Sequence, residues 1–367
     1  MPKPAKSPAI RARLKALRGA MKQHRIGAYL VTKHMDLFYL TGFTGEDSAG
    51  LFTPTRVHLL SDGRFEEAIR QECPWVTTTL RKGTLNQEIA KVCKALKLRS
   101  IAVQPDRVTL ADVDEIGALN KTLKLRKAPD LTGQMRRLKD EVELRAMRKA
   151  IRVAEDAFVA TVASIRTGQT ELEMAARIEF EMKQRGASGP SFPTICAEGA
   201  NAALPHAHAG RRRVREGSAI LFDWGARVGM YCSDLTRMVF IGRVRARLAH
   251  IYNIVLEAQQ RSIRACVVGA RMCDVDQVAR SHIDACGFGE QFNHSLGHGL
   301  GLDVHEPPMV SWRSREAMAA GMLVTVEPGI YVPRVGGVRI EDDVLVTEGR
   351  PRVLSRLPRT LDAAMVR

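Results

Sequence analysis

The sequence predicts an α/β domain followed by an α+β domain, and three observations support this division. Strand-like apolar runs alternate with helical patterns over about the first 130 residues. A long amphipathic pattern begins near Lys139, and strand patterns with a few helices fill the remainder. A chain of 367 residues is long enough for two domains. We therefore predict domains over residues 1–135 and 136–367.

In the first domain, the apolar periodicity of residues 8–25 predicts an amphipathic helix, and residues 26–32 have the composition of a buried strand. Residues 48–63 are typical of a β-hairpin with Pro54 at its turn. Further elements are expected as a strand at Ile101–Val103 and helices at 64–73, 84–97 and around 110–119.

The second domain opens with a long helix, in which apolar residues recur three or four positions apart from Val142 onward. Gly168 is expected to end this helix, and Thr170–Arg185 continues as a second one. Two more helices are predicted near 246–267 and 273–286. Strand patterns elsewhere make this domain α+β.

The charge of the chain is unevenly distributed. Residues 1–150 carry 29 Lys and Arg against 16 Asp and Glu, a difference of +13, whereas residues 151–367 carry 27 against 24, a difference of +3. Such asymmetry occurs in nucleic-acid-binding proteins and also on ordinary solvated surfaces. Aromatic residues make up only 5% of the chain and are not interleaved with basic ones, as base stacking would favour. A solvated basic surface is therefore the favoured interpretation.

Composition also bears on the compartment. No run of about 18 uncharged apolar residues occurs, so no membrane-spanning helix is expected. The basic N-terminal stretch has no apolar core of the kind that signal peptides need. Seven scattered cysteines form no Cys-x-x-Cys pair, which indicates free thiols in a reducing compartment. We expect a cytoplasmic protein.

Two aspartates interrupt an apolar hairpin pattern at residues 218–242. A turn centred on 227–228 would set Asp223 opposite Cys232. Asp234 would then lie two residues further along the same face, and diagonal neighbours on adjacent strands are roughly 7–8 Å apart, so both carboxylates could reach one point. A carboxylate in an apolar run is costly to bury unless it is paired or bound to a metal. Water-exposed aspartates at a hairpin edge are the alternative.

Three histidines lie close together in HSLGHGLGLDVHE. His294 and His298 are four residues apart, but Ser295 stands where the helical zinc-protease motif has glutamate. The interleaved glycines disfavour a helix, let the backbone approach its neighbours closely and leave His298 free to point into a site. With His305 also present, a functional role is favoured over a structural one.

Two glutamates interrupt further strand-like runs, Glu327 in MLVTVEPGIYV and Glu341 in GGVRIEDDVLVT. Taken alone, each would be interpreted as a solvated residue at a strand end. Together with Asp223, Asp234 and one imidazole, they form a set of hard oxygen ligands that suits Mn²⁺, or Co²⁺, better than a thiolate site would. Four carboxylates favour two divalent ions over one, with a metal-bridging hydroxide that attacks a polarised carbonyl.

The order of these residues resembles the pita-bread metallopeptidase family, which includes methionine aminopeptidase, aminopeptidase P, prolidase and the metal-free creatinase. The match consists of Asp223, Asp234 eleven residues later, His298 in a glycine-rich loop, Glu327 in TVEPG and Glu341 in VRIED. The resemblance implies a pita-bread (creatinase/aminopeptidase-like) α+β catalytic domain with two divalent ions at the centre of a pseudo-twofold core. Mn²⁺ is favoured, with Co²⁺ or Zn²⁺ as alternatives. Asp223, Asp234 and Glu341 would bind or bridge both ions, His298 and Glu327 would complete the coordination, and Glu327 would transfer the proton.

The same resemblance implies further active-site residues. NAALPHAH matches a segment that carries an active-site histidine, which is His206 here, with His208 as a structural neighbour. His305 matches a histidine that contacts the substrate or stabilises the oxyanion, and His294 matches one that lines the proline pocket. Arg339 matches an arginine that braces a metal-ligand carboxylate.

The first domain resembles, more loosely, the accessory domain of the creatinase, prolidase and aminopeptidase P branch, as in HMDLFYLTGFTGE at 34–46. That branch implies cleavage of the bond before proline, in peptides or dipeptides, by an enzyme that is often a homodimer. Aminopeptidase P and prolidase activities both stay open. Arg313 and Arg315 lie where prolidases can bind the dipeptide carboxylate, although exposed surface arginines are the simpler interpretation.

Two other functions compete with this one. A catalytically inactive binding protein of the same fold could use the basic N-terminal half to bind nucleic acid, but inactive relatives usually lose metal ligands that this chain keeps. Creatinase-like amidinohydrolase activity is disfavoured because that branch lacks those ligands.

Overall fold

A computed structural model of the protein describes residues 6–366. The chain divides into two compact units between Arg136 and Arg137. Across the described residues, no helix is long and apolar enough to cross a membrane.

The first unit is built from helices on a mixed sheet. Its helices are α1 (Pro8–Gln23), α2 (His34–Thr41), α3 (Glu66–Glu72), α4 (Leu85–Ala95), α5 (Leu110–Leu119) and α6 (Leu131–Arg136). Its strands are β1 (Tyr29–Val31), β2 (Ala49–Phe52), β3 (Val57–Ser61), β4 (Thr77–Leu80), β5 (Ser100–Val103) and β6 (Lys124–Lys127).

The sheet of the first unit has the strand order β4–β3–β2–β1–β5–β6. Strand β2 runs antiparallel to β1 and β3, whereas the pairs β1–β5, β3–β4 and β5–β6 are parallel. Leu30, Leu51 and Ile101 of the sheet pack with Ile89 of α4 and Ile116 of α5 in one buried cluster. The unit is therefore α/β, as the sequence predicts.

The sequence analysis missed four elements of this unit: α2, α6, β4 and β6. The strands β4 and β6 are the two edges of the sheet, and their side chains, TTTL and KLRK, are mostly exposed or half-buried. An edge strand of this kind has no apolar run to reveal it. Helix α2 is apolar around most of its circumference, so its sequence has little helical periodicity.

The second unit contains two pairs of helices and many short strands. The helices are α7 (Glu141–Ala163), α8 (Glu171–Gln184), α9 (Ala246–Ala265) and α10 (Met272–Ala285). The strands of its first half are β7 (Gly189–Pro190), β8 (Ile195–Glu198), β9 (Ala219–Trp224), β10 (Ala226–Val228), β11 (Tyr231–Cys232) and β12 (Leu235–Ile241). The later strands are β13 (Gly297–Gly299), β14 (Glu306–Val310), β15 (Leu323–Val326), β16 (Gly329–Val332), β17 (Gly336–Arg339), β18 (Asp342–Leu345), β19 (Arg352–Val353) and β20 (Met365–Val366).

All four helices of this unit form where the sequence predicts them. Helices α7 and α8 begin at capping boxes, Asp140 with Glu143 and Thr170 with Glu173. The predicted end of α7 at Gly168 was too late. Helix α7 already ends at Ala163, and Gly168 lies in the turn before α8.

Strands β8, β9, β12 and β20 form a sheet that packs against α7 and α8. Trp224 of β9 donates its indole N–H to the carbonyl of Ala154 in α7 (2.9 Å) and stacks on Phe158 at 4.4 Å. Phe222 belongs to the same buried cluster. Because side chains alternate along a strand, Asp223 between these aromatic residues faces the opposite side of the sheet.

A five-stranded sheet, β14–β13–β15–β18–β19, belongs to the second half of the unit. Val324 of β15 and Val344 of β18 pack with Ile251 of α9 and Ile283 of α10. Leu221 of β9 belongs to the same cluster, which therefore joins the two halves. The predicted metal ligands lie on the strands of these two sheets or directly beside them.

The hairpin that carries Asp223 turns two residues later than predicted. Its turn lies at 229–230, where both residues have positive φ, 56° and 73°. Asp223 therefore pairs with Thr236, four residues beyond Cys232, and the predicted pairing was wrong. Because strand faces alternate with a period of two, a shift of four residues keeps Asp234 on the same face as Asp223.

Glu171, at the start of α8, is fully buried and holds the loop 198–210. Its carboxylate accepts hydrogen bonds from the backbone N–H groups of Glu198 (2.6 Å) and Gly210 (2.8 Å) and from the side-chain amide of Asn201 (2.9 Å). These three donors fix both ends and the interior of the loop.

We expect Glu171→Ala to lower the free energy of unfolding by roughly 2–4 kcal/mol, because it leaves these donors without an acceptor. Denaturant unfolding measures the change. Glu179→Ala, on a partly exposed position of the same helix, is the control and should cost less than about 0.5 kcal/mol. Equal effects of the two substitutions would contradict the assigned role of Glu171.

Candidate metal centre and active site

The second unit contains a cavity of about 540 Å³. It is lined by all nine residues that the family resemblance assigns to the active site: Asp223, Asp234, His298, Glu327, Glu341, His206, His294, His305 and Arg339. His208, which we interpreted as structural, lines it too. Much of the remaining wall is apolar, with Phe192, Pro193, Ile195 and Met309.

The four carboxylates come from two pairs of strands. Asp223 lies in β9 and Asp234 just before β12, whereas Glu327 follows β15 and Glu341 precedes β18. Hydrogen bonds join the two pairs: the Glu341 N–H donates to the Thr236 carbonyl (3.2 Å), and the Thr236 hydroxyl donates to Oε2 of Glu341 (2.7 Å). Residues distant in sequence therefore meet at one point.

Asp234, His298 and Glu341 form a group that could hold a metal ion. One ligand atom from each lies within 4.8 Å of the others, and all three side chains are buried. Nε2 of His298 lies 3.6 Å from Oδ2 of Asp234 and 3.4 Å from Oε1 of Glu327. Ligand atoms about 2 Å from a shared cation have separations of this size.

The orientation of His298 turns a lone pair toward the carboxylates. Its Nδ1 lies 3.0 Å from the carbonyl oxygen of Gly299, which can only accept, so Nδ1 carries the proton. Burial, reinforced by nearby His305, lowers the pKa of His298 to about 3. Nε2 is then an acceptor that faces the oxygens of Asp234 and Glu327, which is unfavourable unless a cation lies between them.

The glycines on either side of His298 have a packing role. A Cβ on Gly297 would lie 2.0 Å from the Thr325 carbonyl oxygen, and one on Gly299 would lie 2.6 Å from that of Glu306. The N–H of His298 donates to the Thr325 hydroxyl (3.1 Å). The glycines thus let β13 fit between its neighbours while His298 projects into the cavity.

Too little positive charge lies near the four carboxylates to balance their negative charges. Burial, and then repulsion from neighbouring carboxylates, raises the pKa of Asp234 and that of Glu341 well above the ordinary values. Burial raises the pKa of Glu327 to about 8. Oδ1 of Asp223 is buried and accepts no hydrogen bond from any residue within 6–366. Hard divalent cations fit this set of donors and would offset the repulsion.

Arg339 of β17 holds the other oxygen of Asp223. Its guanidinium donates to Oδ2 of Asp223 (2.5 Å), to the Thr236 hydroxyl (3.1 Å) and to the Tyr331 hydroxyl (2.7 Å). Arg339 is only 3% exposed, so these bonds are shielded from water. This is the geometry of a side chain that orients a ligand carboxylate and leaves one of its oxygens free.

A chain of hydrogen bonds continues from Arg339 to His294. Nδ1 of His294 donates to the Ser295 carbonyl (2.8 Å), so Nε2 accepts from the Tyr331 hydroxyl (2.9 Å). Burial, with Arg339 nearby, lowers the pKa of His294 to about 4. His294 is thus a neutral ring with a fixed orientation in the cavity wall.

His305 and His206 are exposed although they line the cavity, which places them at its mouth. The ring of His305 packs edge-to-face against that of His298, with centroids 4.2 Å apart. His206 lies in the loop that Glu171 holds.

Sequence reasoning missed Thr236, Thr325 and Tyr331. The two threonines had a detectable signal, because each lies two residues from a predicted ligand and therefore on the same face of its strand. Tyr331 had none, since its hydrogen bonds to Arg339 and His294 depend on the pairing of β16 with β17.

Arg313 and Arg315 do not line the cavity. Both are exposed; Arg313 lies over the ring of Trp312 (5.5 Å), and Arg315 is within 3.6 Å of Sγ of Cys273. The structure therefore gives no support to these residues as the site of a dipeptide carboxylate.

Comparison with known proteins identifies the family. A model of metallopeptidase family M24 matches residues 145–348, more than half of the chain, and this range includes every residue of the site. This chain belongs to metallopeptidase family M24. A model of the creatinase/prolidase N-terminal domain matches residues 13–138. The resemblance and the predicted fold, an accessory domain followed by a pita-bread catalytic domain, are confirmed.

This metallopeptidase is 34% identical over 351 residues to the Xaa-Pro dipeptidase of Pyrococcus horikoshii. The alignment covers 93% of this chain and 96% of the relative. This metallopeptidase is 34% identical to a solved Xaa-Pro dipeptidase from Bacillus anthracis, with a TM-score of 0.91 over 96% of this chain and 99% of that one. A solved X-Pro aminopeptidase from Thermotoga maritima is 37% identical, with a TM-score of 0.87 over 93% of this chain and 99% of the aminopeptidase. The family binds divalent metal ions, and Asp234, His298 and Glu341 form a group suited to one.

We expect Asp234→Asn to remove most of the bound metal, because the amide lacks the charge and one ligand oxygen. Peptidase activity should fall by more than the ~10–100-fold that follows loss of a supporting outer-sphere partner. Elemental analysis and kinetics measure the two effects. Asp156→Asn, at an exposed position of α7, is the charge-matched control. Metal content and activity like those of the wild type would refute the assignment of Asp234.

Proposed function

We propose that this metallopeptidase hydrolyses the peptide bond that precedes proline, in Xaa-Pro dipeptides or at the N-terminus of Xaa-Pro peptides. The observation that carries the proposal is the convergence of Asp234, His298 and Glu341 in a largely apolar-walled cavity. The names of its relatives, Xaa-Pro dipeptidase and X-Pro aminopeptidase, support the same substrate class.

The proposed cofactor is a pair of divalent ions, held by Asp223, Asp234, His298, Glu327 and Glu341. Mn²⁺ suits four carboxylates and one imidazole, with Co²⁺ or Zn²⁺ as alternatives. Ions bound there would supply Lewis-acid polarisation of the scissile carbonyl and acidify a water molecule. The free oxygen of Asp223 and the lone pair of His298 support this ligand assignment.

Side chains of the protein would move the protons and hold the substrate. Glu327 is the proposed acceptor of the proton from the attacking water, and it would return the proton to the proline nitrogen, which leaves as an amine. The Thr325 hydroxyl lies 3.3 Å from Oε1 of Glu327 and orients it. His206 and His305, at the mouth of the cavity, would donate hydrogen bonds to the developing oxyanion or to the peptide.

The walls of the cavity suit a proline residue. The bond before proline is a tertiary amide without an N–H group, so the substrate offers no donor there. His294, held by Tyr331, presents a neutral ring, and Phe192 and Ile195 add apolar surface to the cavity.

Several finer features complete the proposal. Retention of the whole ligand set favours an enzyme over a binding protein for nucleic acid. All seven cysteines are free, which supports a cytoplasmic location. A homodimer is proposed from the resemblance to the prolidase and aminopeptidase P branch. Arg339 is the one arginine within residues 6–366 that lines the cavity, and it already binds Asp223, which favours peptides longer than dipeptides as substrates.

The proposal is tested with purified, Mn²⁺-loaded protein and the peptides Ala-Pro, Ala-Pro-Ala and Ala-Ala-Ala. We expect alanine release from the two proline peptides only, faster from Ala-Pro-Ala, with loss of activity on chelation and recovery on return of Mn²⁺. Equal cleavage of Ala-Ala-Ala would refute the specificity for proline. Faster cleavage of Ala-Pro would overturn only the preference for peptides longer than dipeptides. Light scattering of the purified protein tests the proposed homodimer.

His206→Ala should lower kcat by about 10²–10³, the usual effect of losing one oxyanion donor, while metal content stays at the wild-type level. His250→Ala, at an exposed position of α9 that does not line the cavity, is the control and should change kcat by only a small factor. An unchanged kcat in the His206 variant would mean that His206 faces solvent and does not contact the substrate. Loss of metal would instead identify His206 as a ligand, and either result would overturn its assigned role.

A further inference from the structure

A second, smaller cavity of the catalytic unit is surrounded by arginines. Its volume is about 110 Å³, and its walls are Arg148, Arg152, Arg352, Val353, Leu354 and Arg356. None of these residues lines the metal-site cavity. Four positive charges, and no carboxylate, therefore face a space larger than the ~30 Å³ that a water molecule occupies in the liquid.

These arginines have no partner among residues 6–366. None of the four guanidinium groups forms an ion pair or a hydrogen bond there, and Nε of Arg148 is buried without a hydrogen-bond acceptor. Arg148 and Arg152 lie one turn apart on α7, a spacing at which like charges destabilise a helix. The buried Nε of Arg148 is a donor without an acceptor, which indicates a missing partner, whereas Arg152, Arg352 and Arg356 are exposed beside it.

Neither acidic residue of this part of α7, Glu155 or Asp156, forms an ion pair with these arginines within residues 6–366. Glu155 is buried, and its Oε1 accepts hydrogen bonds from the backbone N–H groups of Arg356 and Leu357. Glu155 therefore fixes the segment 352–357 against α7. In doing so it holds Arg352 and Arg356 beside Arg148 and Arg152, so that the arrangement of like charges is built into the fold.

We propose that this cavity binds a phosphate group, either as the free ion or as a monoester. Guanidinium groups bind phosphate oxygens with paired N–H donors, and arginine is the side chain preferred for this purpose. One doubly charged group would satisfy the donors and relieve the repulsion between the arginines. A cavity of this size suits a single phosphate better than an extended nucleic-acid strand, which needs a continuous basic groove.

The test is calorimetric titration of the metal-loaded protein with inorganic phosphate and, separately, with AMP. We expect saturable binding of at least one probe, weakened about tenfold or more in Arg148→Gln/Arg352→Gln. The ligand that binds more tightly identifies the source of the phosphate. Peptidase activity should stay at the wild-type level in this double variant, which shows that the protein is folded. If the double variant does not fold, the single variant Arg352→Gln, at an exposed position, is used in its place.

The matched control is Arg261→Gln/Arg264→Gln, which removes two charges from exposed positions of α9. Its affinity for the probe should equal that of the wild type. Binding that is equally strong in the Arg148/Arg352 variant would place the anion elsewhere, including at the catalytic metals, and would overturn the proposal. So would a lack of saturable binding to the wild type, or binding of a single-stranded oligonucleotide but of neither phosphate probe.

Discussion

Mutual repulsion among four carboxylates, of which Asp234 and Glu341 are buried and Asp223 and Glu327 are half-buried, is the constraint on which the catalytic unit depends. Each carboxylate would be costly to bury alone, and bringing the four together raises the cost further. The fold meets part of it with hydrogen bonds that fix selected oxygens, such as Arg339 on Asp223 and Thr236 on Glu341. Oδ1 of Asp223, in contrast, is buried and accepts no hydrogen bond within residues 6–366, so it is free to bind a cation. Metal binding and the stability of this region are therefore linked.

The backbone around the candidate ligand Glu341 is also held by hydrogen bonds from a buried arginine. Arg237, next to Thr236 and only 3% exposed, donates to the Glu341 carbonyl (2.5 Å), to the Asp342 carboxylate (2.7 Å) and to the Leu357 carbonyl (3.0 Å). One buried side chain thus connects β12 with the start of β18 and with the C-terminal segment. Such support keeps ligand carboxylates in place without using the oxygens that face the cavity.

Much of the fold could be read from local patterns. The helices α7 to α10 have a clear apolar period, and α7 and α8 begin at capping residues that are visible in the sequence. Elements without such a pattern were missed, as with the polar edge strands β4 and β6. The hairpin register was also wrong, because the positive-φ turn at 229–230 competes with other possible turns nearby.

By itself, the sequence determined the chemical identity of the site. Carboxylates within apolar runs are costly to bury without a cation, and their combination with a histidine in a glycine-rich stretch predicted metal chemistry before any geometry was known. Only the tertiary structure decided which atoms meet: the hydrogen bonds of Tyr331 and the exclusion of Arg313 and Arg315 from the cavity depend on contacts between segments distant in the chain. Composition and spacing constrain neighbours within a strand or helix, whereas distances between strands follow from packing alone.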